Sequence, residues 1–340
     1  MTVTSDAADV TGGEPAPAKF GTVFGERMAV AGYSSGGWEP MAVVDTDSVS
    51  FGPATHALHY ASACFEGLKA HRQPDGTVAS FRADRHVERM RQSADRLCLP
   101  VPPAPLLSEM IAATVEANAA ITPAPPGSLY LRPTLLGTDH DIGAAATPSA
   151  TAILYVLASP VGEYLPPRAL RILVETSGAR TTPQFGVVKT GANYAMALGV
   201  IRAARTEHDA DQVLFAPGGV IEETGASNIV FLDGRRIVTP ALTDAFLHGV
   251  TRDSLLRLAT DRGWEVEERE VTVEEIAELI ARPTAEVALS GTAAVLASVG
   301  ELVIDGEVRS VGTPGSTPRT DELRQALTDI QTGRTTVGWA

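Results

Sequence analysis

Apolar positions in the first third of the chain recur at intervals of three and four. After Asp84, read as an N-cap, Val87, Met90, Ala94 and Leu97 follow at spacings of 3, 4 and 3 and predict a helix with one buried stripe. Pro100, Pro102, Pro103 and Pro105 end that helix, and Leu107, Ile111 and Val115 predict the next. Around these helices the period drops toward two. Residues 27–51 alternate weakly, and Ala42–Val44 and Val49–Phe51 read as short strands joined by turns. Residues 64–82 read as a hairpin, with CFEGLKAHR and TVASFR flanking the turn Pro74-Asp75-Gly76. Two longer strand runs follow, SLYLRPTLLG (128–137) and ATAILYVLAS (150–159).

The second half repeats the mixture in another order. LRILVET (170–176), DQVLFA (211–216) and SNIVFLDG (227–234) read as strands, and residues 285–305 are strand-rich around Gly291. NYAMALGVIRAARTEH (193–208), TRDSLLRLATDRG (251–263, closed by Gly263) and EEIAELI (274–280) read as helices, as does a last segment carrying Leu323, Leu327 and Ile330. There is no internal repeat and no even βαβ alternation, so a doubly wound parallel sheet is the weaker choice. The expectation is a mixed α/β protein of two domains. Residues 1–20 form a flexible tail, 21–160 a small domain, 161–169 (VGEYLPPRA) a linker and 170–340 a large domain.

Composition narrows the function more than the fold. With 340 residues, 44% of them hydrophobic, there is material for two cores. A net charge of -14 with no basic stretch opposes binding to nucleic acid or to an anionic membrane. No apolar run is long enough to span a bilayer, and the first residues lack the pattern of a signal peptide, so a cytoplasmic protein is expected. Cys64 and Cys98 belong to no CxxC pair, which argues against a structural metal and leaves a single disulfide open. Lys and Arg total 27, yet the lysines are only Lys19, Lys69 and Lys189. Arginine stays protonated and cannot form a Schiff base, so any such chemistry has three candidate amines.

Of these, Lys189 has the most unusual setting. It ends the apolar run of QFGVVK, with Gly191 and a helix start just beyond, where an apolar environment favours the neutral, nucleophilic amine. An ordinary edge-strand lysine would fit the same spacing. Glu222 and Glu223 stand just before a strand, placed either as a charged turn or as the anion that keeps a ring nitrogen protonated. HGVTRDS (248–254) and SGTAA (290–294) are turns combining glycine with hydroxyl side chains, a composition suited to phosphate, and the first opens a helix. No GxGxxG between strand and helix, P-loop, GxSxG or HExxH occurs.

Taken in order, LHYASACFEGLKAHR, HVERMRQSADRLCLP, LYLRPTLLG, SPVGEYL, KTGANY, EETGASNIVF, HGVTRDSLL and SGTAA closely resemble the branched-chain aminotransferases, class IV aminotransferases among the fold type IV pyridoxal-phosphate enzymes, from about residue 25 to 335. The resemblance implies the D-amino-acid-aminotransferase-like fold and pyridoxal 5'-phosphate as cofactor. It implies reversible amino transfer from L-leucine, L-isoleucine or L-valine to 2-oxoglutarate, giving the 2-oxo acid and glutamate. Lys189 then matches the Schiff-base and proton-shuttling lysine, Tyr194 the partner of the ring's phenolic oxygen, and Glu223, rather than Glu222, the partner of the ring nitrogen. Arg89 matches the phosphate-binding arginine, while Val250, Thr251 and Thr292 match further phosphate ligands; Arg82, nearby, is expected at the hairpin edge facing solvent. Tyr60, Phe65 and Tyr164 match the aromatic walls of the substrate pocket, Tyr130 and Arg132 residues near the substrate carboxylate, and Thr292 and Ala293 the N–H groups beside the α-carboxylate. In the family part of the Tyr130–Arg132 loop crosses from the partner, so a homodimer with shared active sites is implied.

Thr190 and Ala192 depart from the family's usual residues beside the lysine, and Ala294 and Ala297 stand where mammalian members carry a redox-active cysteine pair. A D-amino-acid aminotransferase or an aminodeoxychorismate lyase shares the fold, but LYLRP and VGEYL argue against both. A non-catalytic protein of the same fold would not need Lys189, Tyr194, Glu223 and Arg89 together.

Overall fold

A computed structural model describes residues 20–163 and 168–340. The expected tail, apart from Phe20, and the middle of the expected linker, including Tyr164, lie outside the described residues. The first half runs β1 (Arg27–Ser34), β2 (Gly37–Trp38), β3 (Ala42–Asp45), α1 (His56–Tyr60), β4 (Ala63–Phe65), β5 (Leu68–Arg72), β6 (Val78–Ser80), α2 (Ala83–Arg96), α3 (Ala104–Ala117), β7 (Ser128–Gly137) and β8 (Ala152–Val161). Its strands form one antiparallel sheet ordered β2-β1-β8-β7-β5-β6, with β3 on β1 and β4 on β7.

Strand alternation decides which side chains reach the site. On β7, Leu129, Leu131 and Leu135 are fully buried in a core completed by Met90 of α2 and Leu107 and Met110 of α3. Tyr130, Arg132 and Thr134, on the opposite pleat, are only half-buried and face away from that core. On β5, Leu68 and Ala70 enter the core and Lys69 and His71 point the other way.

The second half runs β9 (Leu170–Glu175), α4 (Gly191–His208), β10 (Gln212–Phe215), β11 (Asn228–Asp233), β12 (Arg236–Pro240), α5 (Val250–Asp261), β13 (Glu265–Arg269), α6 (Val273–Leu279), β14 (Ala285–Gly291), β15 (Val295–Ile304), β16 (Glu307–Ser310) and α7 (Pro318–Gln331). The sheet order is β10-β9-β15-β14-β11-β12-β13, with β16 on β15, and it is mixed: β9 runs parallel to both neighbours and β12 parallel to β13. It is apolar on both faces. Ile229 and Phe231 of β11 pack toward α6, whereas Val230 and Leu232 pack toward α5 and α7.

Three local expectations are corrected. Val49–Phe51 forms no strand: nothing pairs with it, and Phe51 is exposed. Asp84 is not the N-cap of α2 but sits inside its first turn, and Arg82 occupies the cap in a left-handed conformation. Nor does Arg82 face solvent. It is buried, and its guanidinium donates to Asp253 at 2.6 Å and Ser254 at 2.8 Å, so α5 holds the entry to α2 in place. The open question of a disulfide is settled: Cys64 is buried, Cys98 is exposed, and both are free thiols.

Candidate active site

Lys189 ends the loop leading into α4, and its position is determined from both sides. Its N–H donates to Ser93 Oγ on α2 at 3.0 Å, and its carbonyl accepts from the Phe65 N–H at 3.0 Å. Behind it, Asn193 is fully buried. Its Nδ2 donates to the Phe185 and Val188 carbonyls at 2.9 and 2.8 Å, and its Oδ1 accepts from Thr181 at 2.9 Å, bracing the turn that delivers the lysine. Thr190 caps α4, accepting from the Ala192 N–H. The Lys189 side chain is half-buried and its Nζ lies 3.0 Å from Tyr194 Oη and 5.2 Å from the centre of the Phe65 ring.

From Tyr194 the cluster extends to a buried ion pair. The Arg180 guanidinium lies 5.2 Å from the centre of the Tyr194 ring and donates to Glu223 Oε1 at 2.6 Å. The same oxygen accepts the Leu247 N–H at 3.2 Å, while Oε2 has no partner among the described residues. Burial pushes the Glu223 carboxyl up to about 7, although Arg180, the Leu247 N–H and Lys189 pull it down. Burial also raises the Tyr194 phenol, but Lys189 and Arg180 outweigh it and hold the phenol below its ordinary range. Glu222, one residue away, is half-buried and makes no side-chain contact to this cluster among the described residues.

A second group faces it across the β4–β5 loop. Arg89 of α2 is held in a two-pronged pair by Glu66, Nε at 2.7 Å and Nη2 at 2.8 Å, while His86 contacts the same carboxylate at 2.7 Å. Burial alone would raise the Glu66 carboxyl, but Arg89 and His86 hold it far below the usual range. The remaining Arg89 nitrogen donates to the His248 carbonyl at 2.9 Å and so reaches the turn that opens α5. Gly249 is the cap residue there and supplies no side chain; a Cβ at this position would overlap Asn228 Oδ1. The first N–H groups of α5, those of Val250 and Thr251, and the Thr251 hydroxyl therefore have no partner among the described residues, which is the arrangement an anion needs at a helix start.

The third group is the turn between β14 and β15. Thr292 Oγ1 donates to the Gly67 carbonyl at 3.0 Å, and the Ala293 carbonyl accepts from Lys69 Nζ at 2.6 Å. Gly67 lets Tyr130 approach closely: a Cβ there would overlap the Tyr130 hydroxyl unless that side chain shifted. Arg132 donates to that hydroxyl at 2.9 Å and lies 4.6 Å from the centre of the Phe65 ring. Phe65, Tyr130 and Arg132 are therefore gathered within one chain.

Most residues expected at the site thus lie in three linked groups: Lys189, Tyr194, Glu223 and Phe65; Arg89, Val250 and Thr251; Thr292, Ala293, Tyr130 and Arg132. Two do not. Tyr60, on α1, bonds the Ile142 carbonyl and packs on His56 rather than on the cluster, and Tyr164 lies outside the described residues. Arg180, Glu66 and His86 join the site without having been expected from the sequence. His86 and Arg89 share one face of a helix at a spacing of three, a cue that could have prompted a search for their carboxylate. Nothing in the sequence around Arg180 signals its pairing. Among the described residues there is no metal-binding cluster, and no helix is long and apolar enough to cross a membrane.

Comparison with known proteins identifies the family. Residues 63–302 match the family described as amino-transferase class IV. A probable branched-chain-amino-acid aminotransferase of Streptomyces coelicolor is 39% identical over 326 residues, covering 92% of this chain and 89% of the relative. The T.th. branched-chain amino acid aminotransferase solved with pyridoxamine 5'-phosphate superposes with a TM-score of 0.77 at 27% identity, covering 92% of this chain and 96% of that one. The branched-chain amino acid aminotransferase from Escherichia coli gives 0.72 at 26% identity, covering 93% and 97%. The chain belongs to the class IV aminotransferases and, within them, to the branched-chain-amino-acid aminotransferase family.

Proposed function

We propose that the protein is a pyridoxal-phosphate-dependent transaminase that moves the amino group of L-leucine, L-isoleucine or L-valine to 2-oxoglutarate. The observation that carries this reading is the convergence of Lys189, Tyr194, Arg180 and Glu223 in one cluster. Oε2 of the buried Glu223 is a free acceptor suited to a protonated ring nitrogen, and the uncapped start of α5 beside Arg89 suits a phosphate. Pyridoxal phosphate therefore fits the donor set. Lys189 would hold it, Tyr194 and Glu223 would bind its ring, and Arg89, Val250 and Thr251 its phosphate, whereas the Thr292 hydroxyl, expected as a further phosphate ligand, is committed to the Gly67 carbonyl. When bound, it supplies an electron sink for the charge left on the amino acid after the α-proton is removed.

The protein's side chains do the rest. Lys189 Nζ takes the α-proton, and the Tyr194 hydroxyl 3.0 Å away orients the amine as it does so. Phe65, beside Lys189, offers an apolar wall suited to a branched side chain. Arg132 and Tyr130 offer polar groups at the rim of the same pocket for the second carboxylate of glutamate or 2-oxoglutarate. The N–H groups of Thr292 and Ala293 receive the α-carboxylate.

A homodimer belongs to the same reading. Leu58 on α1, Ile142 and the α4 residues Met196 and Leu198 are apolar and all more than half exposed, positions suited to burial by a second copy. Tyr60 adjoins Leu58 and packs away from its own chain's cluster, which is consistent with completing the partner's pocket. We read residues 21–160 and 170–340 as the two domains and 161–169 as their linker, supported by one sheet ending at Val161 and the next beginning at Leu170. Two unpaired cysteines support a cytoplasmic setting.

The test is an amino-donor panel with 2-oxoglutarate, read as glutamate formed. Turnover of leucine, isoleucine and valine is expected. Turnover of D-alanine with none of these three would overturn the assignment.

A further inference from the structure

Lys69 is a buried cation that the reaction above does not use. It is 7% exposed, and no carboxylate pairs with it among the described residues. Such isolation is costly for an ammonium group. Its hydrogen-bond partner is the Ala293 carbonyl, at 2.6 Å, on a turn that belongs to the other sheet. The turn is tied down a second time by Thr292 Oγ1 on the Gly67 carbonyl, two residues before Lys69. The alternation of β5 fixes this orientation, since Leu68 and Ala70 are locked in the core on the opposite pleat.

The charged and titratable groups around Lys69 leave its charge unmatched. His71, on the same face of β5, is buried with both ring nitrogens unpartnered among the described residues, and burial and Lys69 together lower it to about 4, so it is neutral. Tyr130 stands opposite Lys69 in the β5–β7 register, with its hydroxyl bonded to Arg132. Arg324 of α7 and Glu163 line a small cavity of about 50 Å³ shared with Lys69 and His71. Arg324 is engaged by the Leu296 carbonyl and Asp321, and Glu163 is exposed. The β14–β15 turn itself carries no charged residue.

We infer that Lys69 is a positioning residue for the substrate α-carboxylate: bound to the far side of the Thr292–Ala293 turn, it fixes that turn and supplies the positive charge the incoming anion meets. The inference rests on the transaminase reading, because that reading places the α-carboxylate on this turn. An anion held by the turn's N–H groups has a cation directly behind it in a poorly screened interior. The carboxylate thus supplies the counter-charge that the free protein lacks. Burial lowers the Lys69 ammonium to about 8, so the effect is nearly complete at neutral pH and fades as pH rises past that value.

The experiment measures binding of 4-methylpentanoate, which is leucine's carbon frame with the carboxylate but no amine, to cofactor-loaded enzyme by calorimetry. Its uncharged amide serves as control. In the wild type, affinity for the acid should fall as pH rises through about 8, while affinity for the amide should not. Lys69→Met should bind the acid roughly ten- to fiftyfold more weakly at pH 7 and the amide about as well as the wild type. Lys69→Arg, which stays charged, should keep the acid's affinity flat across that range. Equal loss of acid and amide in Lys69→Met would reduce Lys69 to a packing role and overturn the inference. So would a pH break that persists in Lys69→Arg. If those variants behave as wild type while the wild type turns over leucine, only the inference fails. A wild type that neither binds the acid nor uses leucine would instead defeat the transaminase reading.

Discussion

Glu223 is the residue on which electrostatics and chemistry meet. One carboxylate oxygen is committed to Arg180 and the Leu247 N–H, and the other is free. Glu223→Gln keeps the shape but removes the charge that would hold a ring nitrogen protonated. Removal of the α-proton should slow roughly ten- to 150-fold, the equivalent of one charge-assisted interaction. Single-turnover kinetics with α-deuterated leucine should show a larger isotope effect, and Glu222→Gln should change neither. Equal slowing in both variants would mean the wrong carboxylate. A pH dependence follows from the same group. Because burial raises Glu223 to about 7, it carries a proton below that pH and cannot bind a cationic ring. Affinity of the cofactor-free protein for pyridoxal phosphate should therefore be full above about pH 7 and fall as pH drops through it. Glu223→Gln should lose this break, as read by fluorescence titration. Lys189 stood out from its setting between an apolar run and a helix start, whereas Tyr194 and the choice of Glu223 over Glu222 came from the family resemblance. Arg180 was not legible, because its role depends on a loop converging on Glu223 from 43 positions away.

At the scale of elements, the uncapped start of α5 is the feature most open to test. Gly249 lets the turn pass Asn228, and Arg89 ties that turn to α2 through the His248 carbonyl. Gly249→Ala should displace the first N–H groups of α5 and weaken cofactor retention. Arg89→Ala should do so too, roughly ten- to 150-fold. Neither should reorder the preference among leucine, isoleucine and valine. Dialysis titration and the donor panel check both halves, and a changed donor order with unchanged retention would contradict the assignment. The long helices and central strands were readable from periodicity, since their buried faces are continuous: Val87, Met90 and Ala94 on α2, or Leu129, Leu131 and Leu135 on β7. Short elements were less readable. Val49–Phe51 has the composition of a strand but no neighbour to pair with. Arg82 reads as a surface charge until Asp253 and Ser254, 171 and 172 positions away, are brought beside it.

Across the whole molecule, the site exists because two sheets with separate cores are stitched together at a few points. Phe65 meets Lys189, Ser93 meets Lys189, Arg89 meets His248, Gly67 meets Thr292 and Lys69 meets Ala293. These contacts join residues far apart in sequence, so the fold class could be anticipated from the pattern of elements but the stitching could not. The exposed apolar residues Leu58, Ile142, Met196 and Leu198 extend the same logic to a second copy. Leu198→Glu and Leu58→Glu should shift the protein toward monomer in sedimentation velocity and lower turnover in proportion, since Tyr60 would no longer reach a partner. A fully active monomer would refute the shared site. Every role proposed above depends on which of three lysines carries the cofactor. Borohydride reduction of the cofactor-loaded protein followed by peptide mass mapping answers this directly. The label is expected on the peptide containing Lys189 and on no other; a label on Lys69 or Lys19 would contradict those roles at their root.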